Sequence, residues 1–321
     1  LKAANKQIIL ATHSPEIVNE AENDEIVLIN RSKRSARRVG DIDGLQEALF
    51  SIGSGQNIHL ARLSRGRKVL FLEGDDYRLL KRFASRLGLN DLHNNVDITV
   101  IPIGGFGQRH RIEDVAWTFE KVLKADIATA AILDRDYRTD EEVEALIRAG
   151  RSAVQDFYIL ERKEIENYLL VPAAIERAVR ERLKERENAG KPVEDISNNR
   201  IISILSELSD EMKLLVLSQR ISNTMRFFAN KTAQDPSTVA AETIAILDSK
   251  WSDLHTRLAI LPGKKFLSSL NERLHRDLQI AVSSASIVRN MTIEEIGCDL
   301  RQILRNLNRF ATDHLEEGRS A

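Results

Sequence analysis

A single cysteine, Cys298, stands in the 321 residues, so no intramolecular disulfide and no multi-cysteine zinc module can be built. That usage fits a reducing, cytoplasmic compartment. Charge of one sign is missing too: 47 Lys and Arg against 48 Asp and Glu leave a net charge of -1. No global basic field therefore attracts nucleic acid, and an anionic partner has to be held by a local patch. No apolar run approaches the roughly 18 residues of a membrane span, and no charged-then-apolar leader opens the chain, so no membrane association is expected. The Gly-x-x-x-x-Gly-Lys-Ser/Thr loop that cradles nucleotide phosphates is absent, which excludes ATP hydrolysis by these residues alone. What is present suffices for a soluble globular core, with 42% hydrophobic and 30% charged residues. The length allows two domains, or one large domain with an insertion. The chain opens on Leu1 inside an element and reads as a piece of something longer.

Gln7 to Ala11 is a short apolar run ending in Thr12-His13-Ser14-Pro15, and Pro15 suits the first turn of a helix. A second strand is expected over Glu25 to Asn30. It leads into Arg31 to Arg38, a basic run that reads either as a solvated turn or as a phosphate contact, with Arg34 and Arg37 as its candidates. From Lys68 apolar runs alternate with amphipathic helices: strands at Val69–Leu72, Asp97–Ile103, Ile127–Leu133 and Val154–Leu160, helices at about 76–87, 112–124 and 140–149. That alternation predicts an α/β fold with a largely parallel sheet flanked by helices. After Tyr168 the periodicity is helical to about Leu261, which predicts an inserted all-helical domain, since a loop of that length would be implausible. Short helices resume from Gly263. The last, from Thr292 to about His314, opens with a Thr-x-x-Glu capping box formed by Thr292 and Glu295.

Three of the sheet strands run into acids. Val69-Leu-Phe-Leu-Glu73-Gly74-Asp75-Asp76 delivers a carboxylate at a strand end, where ligands sit in open α/β sheets. Asp75 or Asp76 could equally cap the following helix. Ala130-Ala-Ile-Leu-Asp134-Arg-Asp136 places two carboxylates on one side of the chain at the same edge, and Glu164-Ile-Glu166 follows the fourth strand, where an acidic surface turn is the plain alternative. Crowded carboxylates are costly without a cation. Their all-oxygen character matches Mg²⁺ or Mn²⁺ rather than zinc. Five or six of them suit two ions about 3.5–4 Å apart, the arrangement that serves phosphodiester hydrolysis. The Gly104-Gly105-Phe106-Gly107 turn then brings Arg109 and Arg111 to this edge as candidate phosphate contacts.

Glu73-Gly74 after the first sheet strand and Asp134-x-Asp136 after the third resemble the Toprim domain of topoisomerases, primases and nucleases. Glu164-Ile-Glu166-Asn-Tyr168-Leu and Pro262-Gly263-Lys264 resemble the version found in OLD-family (overcoming lysogenization defect) nucleases. Ile8 to Pro15 resembles the switch-histidine segment of ABC-type ATPases, and OLD proteins join such an ATPase to a C-terminal Toprim nuclease. The resemblance implies an ATPase remnant over 1–64, a Toprim catalytic domain over 65–171, a helical insertion over 172–261 and helices returning to the Toprim domain over 262–321. It further implies Glu73, Asp134, Asp136 and one or both of Glu164 and Glu166 as metal ligands, and Lys264 as the cation beside the scissile phosphate, with Lys265 a possible substitute. Its implied partners are DNA, an ATPase domain outside this sequence and a UvrD-like helicase, in phage or plasmid defence. One departure stands out. The family pattern places an acid four residues after the first glutamate, where this chain has Tyr77, and Asp76 is the substitute.

The expected function is a two-metal DNA endonuclease module. The competing reading is a non-catalytic DNA-binding or signalling module of an ABC-type ATPase whose acids hold a structural cation. A topoisomerase needs a tyrosine in a separate cleaving domain, but Tyr77, Tyr137, Tyr158 and Tyr168 all lie within or beside the acidic motifs.

Overall fold

Lys68-Val-Leu-Phe-Leu72 is apolar on both of its faces apart from its first residue, and such a run is stable only in the middle of a sheet covered on both sides. In the computed structural model it is strand β3 (Lys68–Leu72), buried throughout, as is β5 (Ala128–Leu133) beside it. The edges read differently. β4 (Ile98–Pro102) grows more exposed toward its end, and β6 (Asp156–Ile159) alternates half-buried with buried residues. The four form one sheet in the order β4-β3-β5-β6, with β5 and β6 parallel in the register Ala130 to Asp156 through Leu133 to Ile159. Ile103 N donates to Leu72 O at 2.8 Å and Leu160 N to Leu133 O at 3.0 Å, so all four strands finish at the same edge. The order carries the consequence for function. From β3 the chain steps outward to β4 and then returns to the other side of β3 as β5, which puts a topological switch point, the usual ligand crevice, between the ends of β3 and β5.

The structure describes residues 9–12, 14, 17–18, 21, 25–30, 35–39, 63, 66–74, 76–94, 98–122, 124–192, 198–228 and 235–312. The chain divides into two compact units, Leu1–Lys68 with Val96–Thr99 and Val69–Asn95 with Val100–Ala321. In the first, β1 (Val27–Asn30) pairs antiparallel with β2 (Ser35–Arg38). Half of the basic run is thus an exposed strand rather than a turn, because strand pairing is invisible to a charge count. The strand expected over Gln7 to Ala11 is not formed by its described part, since Ile9 to Thr12 have no regular structure and no described strand beside them.

In the second unit, α1 (Tyr77–Arg86) buries Leu79, Leu80, Phe83 and Ala84 on one face and stops before Gly88, at φ 72. α2 (Asn90–Asn94) leads to β4. The next helix starts two residues earlier than its apolar pattern suggests and is shorter: α3 (His110–Trp117) passes into a π-helical turn, Thr118–Val122. α4 (Asp140–Ala153) is capped by the Thr139 side chain, which accepts from Glu142 N at 3.2 Å, and it carries three acids in its first turn, favourably placed against the helix dipole. Helices α5 (Pro172–Asn188), α6 (Asn198–Glu211), α7 (Lys213–Phe228), α8 (Pro236–Trp251) and α9 (Leu254–Ile260) follow, and they cluster with the sheet in one unit.

Two expectations about the C-terminal part need correction. The element after Pro262 is not short: α10 (Gly263–Leu278) buries Phe266, Leu270, Leu274 and Leu278 at every fourth position. It ends on Gln279 at φ 53, which carries no glycine stop signal. The Thr292–Glu295 box makes a turn rather than a helix start. Thr292 N does donate to Glu295 Oε2 at 2.8 Å, but the same carboxylate is taken by Arg177. Gly297 then lets the Tyr168 ring sit 2.8 Å from where a Cβ would be, and α12 (Cys298–Thr312) begins only after it. Between them, α11 (Ser284–Arg289) is tied to α1 by Arg82, which donates to Ser284 Oγ at 2.6 Å. Among the described residues no helix is long and apolar enough to cross a membrane.

Candidate functional site

At the switch point Glu73 leaves β3 and Asp134 leaves β5, and Asp134 N donates to Glu73 Oε2 at 3.3 Å. The first and second acidic motifs, at the ends of β3 and β5, are thus joined by one hydrogen bond. Asp76 stands immediately before α1 as its N-cap residue, though its side chain makes no capping bond and is available to the site. Asp136 adopts a left-handed φ of 50, tolerated by aspartate, and its N donates to Lys163 O at 2.8 Å. Asp134 stays with Glu73, and Asp136 turns toward β6.

The fourth-strand acids are fixed by an asparagine. Asn167 is fully buried. Its Oδ1 accepts from Glu164 N at 3.0 Å, and its Nδ2 donates to Leu258 O at 2.7 Å and Leu261 O at 2.9 Å. A buried amide satisfied on both ends is a rigid tie. It locks the Glu164 turn to the end of α9, so the residues that follow, Pro262, Gly263 and Lys264, arrive at the acids although they are about a hundred positions away. Lys264 N donates to Glu164 Oε1 at 2.9 Å. A Cβ on Gly263 would lie 3.0 Å from Asn167 N and Glu166 Cβ and 3.1 Å from Glu164 Oε1, so only glycine permits this approach without displacement.

The carboxylates are interleaved with the chain's own cations. Lys264 Nζ lies 3.5 Å from both Asp76 Oδ1 and Glu166 Oε1. Lys163 Nζ lies 3.1 Å from Glu164 Oε2 and 3.6 Å from Asp136 Oδ1, and Arg138 Nη1 is 3.1 Å from Asp136 Oδ2. Lys163 and Arg138 were missed in the sequence. Their only signals are that Lys163 directly precedes Glu164 and that Arg138 stands four residues after Asp134.

Burial and crowding act most strongly on Asp134. Its carboxyl is pushed up to about 8, first by burial and then by Glu73, Asp76, Asp136 and Glu164. Glu166 is raised to about 7 by burial, against the opposing pull of Lys264, and its buried Oε2 has no hydrogen-bond partner. Lys264 is held above its ordinary value even though burial pulls the other way, because Glu166, Asp76 and Asp134 outweigh it. Three tyrosines are held as phenols: burial raises Tyr158 to about 12 and lifts Tyr137 and Tyr168 further, each with help from a neighbouring acid.

Of the candidate phosphate contacts, the loop after β4 lies against the site, since Gly105 N donates to Glu73 O at 3.2 Å. Arg111 is folded back, with Nη1 donating to Ile103 O at 3.3 Å, and Arg109 is exposed at the start of α3. Arg37 is exposed on β2 in the other unit, and Arg34 and His13 lie outside the described residues, as does Asp75. Among the described residues, the trio with ligand atoms all within 4.8 Å of one another is Glu161, Cys298 and Asp299. Asp299 Oδ2 there already accepts from Glu161 N at 3.1 Å and from the Tyr168 hydroxyl, which makes it a tie at the start of α12. Of the six expected metal-holding acids, Asp76, Asp136, Glu164 and Glu166 are in contact with Lys264, Lys163 or Arg138. Their chemistry still fits a hard cation: every donor is oxygen, one buried oxygen is unpartnered, and Asp134 is burdened by four like charges.

No protein-family model matches the chain, and no curated protein matches it in sequence. Among solved structures the chain is similar to the C-terminal region of the Xanthomonas campestris pv. campestris OLD protein, at 13% identity and a TM-score of 0.32, over 77% of this chain and 96% of that one. A likeness of that size carries no weight for function, which has to rest on the residues described above.

Proposed function

We propose that the chain is a divalent-metal-dependent hydrolase of DNA phosphodiesters, with Glu73, Asp76, Asp134, Asp136, Glu164 and Glu166 as metal-holding acids and Lys264 as the cation beside the reacting phosphate. The observation that carries this reading is Asp134: a half-buried carboxyl at the switch point, raised to about 8 first by desolvation and then by four other acids. Such an arrangement is unfavourable for a protein on its own and becomes favourable when a cation joins it. The resemblance of the motifs supplies DNA as the substrate. Bound Mg²⁺ or Mn²⁺ would polarise the phosphoryl oxygens and lower the pKa of water for attack.

The chain's own residues do the rest. Glu73 and Asp134, joined at the strand ends, fix the centre of the site on the rigid part of the sheet. Lys163 orients Asp136 and Glu164 by reaching both. Lys264 places an ammonium among the acids, where it stabilises the extra negative charge of the transition state more than that of the substrate. Nicking of supercoiled plasmid with Mg²⁺, Mn²⁺ or EDTA tests the proposal: conversion to open circles with either metal and none with EDTA is expected, and intact plasmid under all three conditions would sink it.

A second reading has an observation in its favour. Lys163, Arg138 and Lys264 already neutralise much of the cluster, as in a purely structural ion-pair hub of a DNA-binding or signalling module. It requires DNA binding without nicking.

A further inference from the structure

Beside Asp136 a cavity of about 530 Å³ opens between the sheet edge and α7. Asp136 and Lys163 line it on one side, and Ser218, Ser222, Asn223 and Arg226 on the other. Positions 218, 222 and 226 recur at helical spacing, so α7 turns one continuous polar face to the opening. Asn223 Nδ2 donates to Tyr137 O at 3.3 Å, which pins that face to the Asp134–Tyr137 loop. Pockets of this size that take small molecules are mostly apolar. This one offers hydroxyls, an amide and cations, the groups that contact phosphate backbones.

The charge around it is lopsided. Arg135 of the loop acts on Arg220 of α7 and both act on Lys250 of α8, and Asp140, paired with Arg135, opposes them. Arg220 is held below its ordinary value by burial and then by Arg135, and Lys250 by burial and then by Arg220 and Arg135. Neither Arg220 nor Arg226 makes an ion pair with a described carboxylate. The acids at the switch point repel a polyanion, and a net charge of -1 gives no general attraction. A strand brought to Asp134 therefore has to be held by adjacent positive charge, and on the α7 side Arg226 brings such a charge to the open groove.

We infer that the groove between α7 and the Asp136 loop holds the sugar-phosphate backbone of the DNA strand that enters the acid site, with Ser222 and Arg226 contacting phosphates and Arg220 supplying the field behind them. The inference rests on the reading of the acids as a phosphodiester-hydrolysing centre, and it assigns the substrate's path to a helix that no sequence motif marks.

Binding is measured in EDTA, with no chemistry, by anisotropy of a labelled oligonucleotide on the full chain. Arg226→Glu and Ser222→Glu both change exposed helical residues to a good helix former, and a melting curve checks that each is folded. Each should weaken binding by about tenfold, and Arg226→Ala should lower the slope of log affinity against log salt by about one. Lys184→Glu, exposed on α5 outside the groove, should leave affinity within twofold. If both groove variants bind within twofold of the unaltered chain, or if the unaltered chain binds no DNA, the groove assignment is overturned. The hydrolase reading is decided separately on the unaltered chain, with bis(p-nitrophenyl) phosphate and Mn²⁺. Loss of binding in the groove variants beside an inactive parent would support the groove and reject the hydrolase.

Discussion

The two aspartates of the Asp134-Arg135-Asp136 turn, one residue apart, are neutralised in different ways. Asp136 sits between Arg138 and Lys163, both contributed by the chain and both buried. Asp134 sits among four carboxylates that each raise its pKa. The Asp136 side is complete in charge as folded, whereas the Asp134 side is in deficit, and the deficit locates where a cation has most to gain. Asp134→Asn keeps shape and removes the charge. It should lower nicking by 10²–10³-fold or more while raising the melting temperature in EDTA at pH 8, because it relieves the crowding. A folded Asp134→Asn protein with activity within threefold of the parent would remove Asp134 from the centre.

Lys264 tests the other side of the comparison, since it contacts Asp76 and is influenced by Asp134. Its ammonium reaches Asp76 and Glu166, and its effect should fall on the chemical step. Lys264→Ala is expected to slow single-turnover cleavage at saturating Mn²⁺ by about 10²-fold, with DNA affinity changed little. Lys265→Ala, the neighbouring substitution, should cost far less. A larger loss at Lys265 would move the role by one residue.

The central strands and the position of the acids at strand ends were legible because each is local: apolar runs, strand-end carboxylates and the glycine after Glu73 all lie within a few residues of one another, whereas the switch point depends on the strand order. What was illegible depends on distant partners. Nothing near Asn167 in sequence announces that it spans from Glu164 to Leu258 and Leu261, or that this bridge carries Lys264 to the acids. The polar face of α7 becomes a groove wall only when the helix docks on Tyr137. The capping box at Thr292 shows the reverse error, since its pattern is local and correct in one hydrogen bond, yet Arg177 and the Tyr168 ring decide where the helix begins. Interleaved Lys163 and Arg138 could not be inferred from spacing, because a lysine beside a glutamate is most often a solvated pair.

Gly263 links the bridge to the chemistry and carries a smaller effect. A methyl there meets Asn167 N and Glu166 Cβ at 3.0 Å, so the turn has to give by a few tenths of an ångström and Lys264 moves with it. Gly263→Ala should cost about tenfold in cleavage rate, less than the roughly 10²-fold that a displacement of 1 Å can cause. Unchanged rates at Gly263→Ala beside a strong Lys264→Ala effect would show that the ammonium's reach tolerates the shift.

The smallest expected effect is on stability, and pH separates the two aspartates most directly. Asp134 has a folded pKa of about 8 against 3.8 for a free carboxyl. Between those values the folded chain holds a proton that the unfolded chain has released, so stability from this group is fully present below about pH 4, declines as pH rises, and is gone above about pH 8. Glu166, raised to about 7, acts in the same direction over a narrower range. In EDTA the melting temperature should therefore fall by roughly a few degrees between pH 5 and pH 8 from these groups. Asp134→Asn should flatten that fall. Mn²⁺ opposes it, because metal binds the ionised carboxylates and is helped by each proton lost, so the metal-induced rise in melting temperature should grow from pH 6 to pH 8. A rise independent of pH, or one that persists in Asp134→Asn, would place the metal away from Asp134 and leave its crowded carboxyl without a cationic purpose.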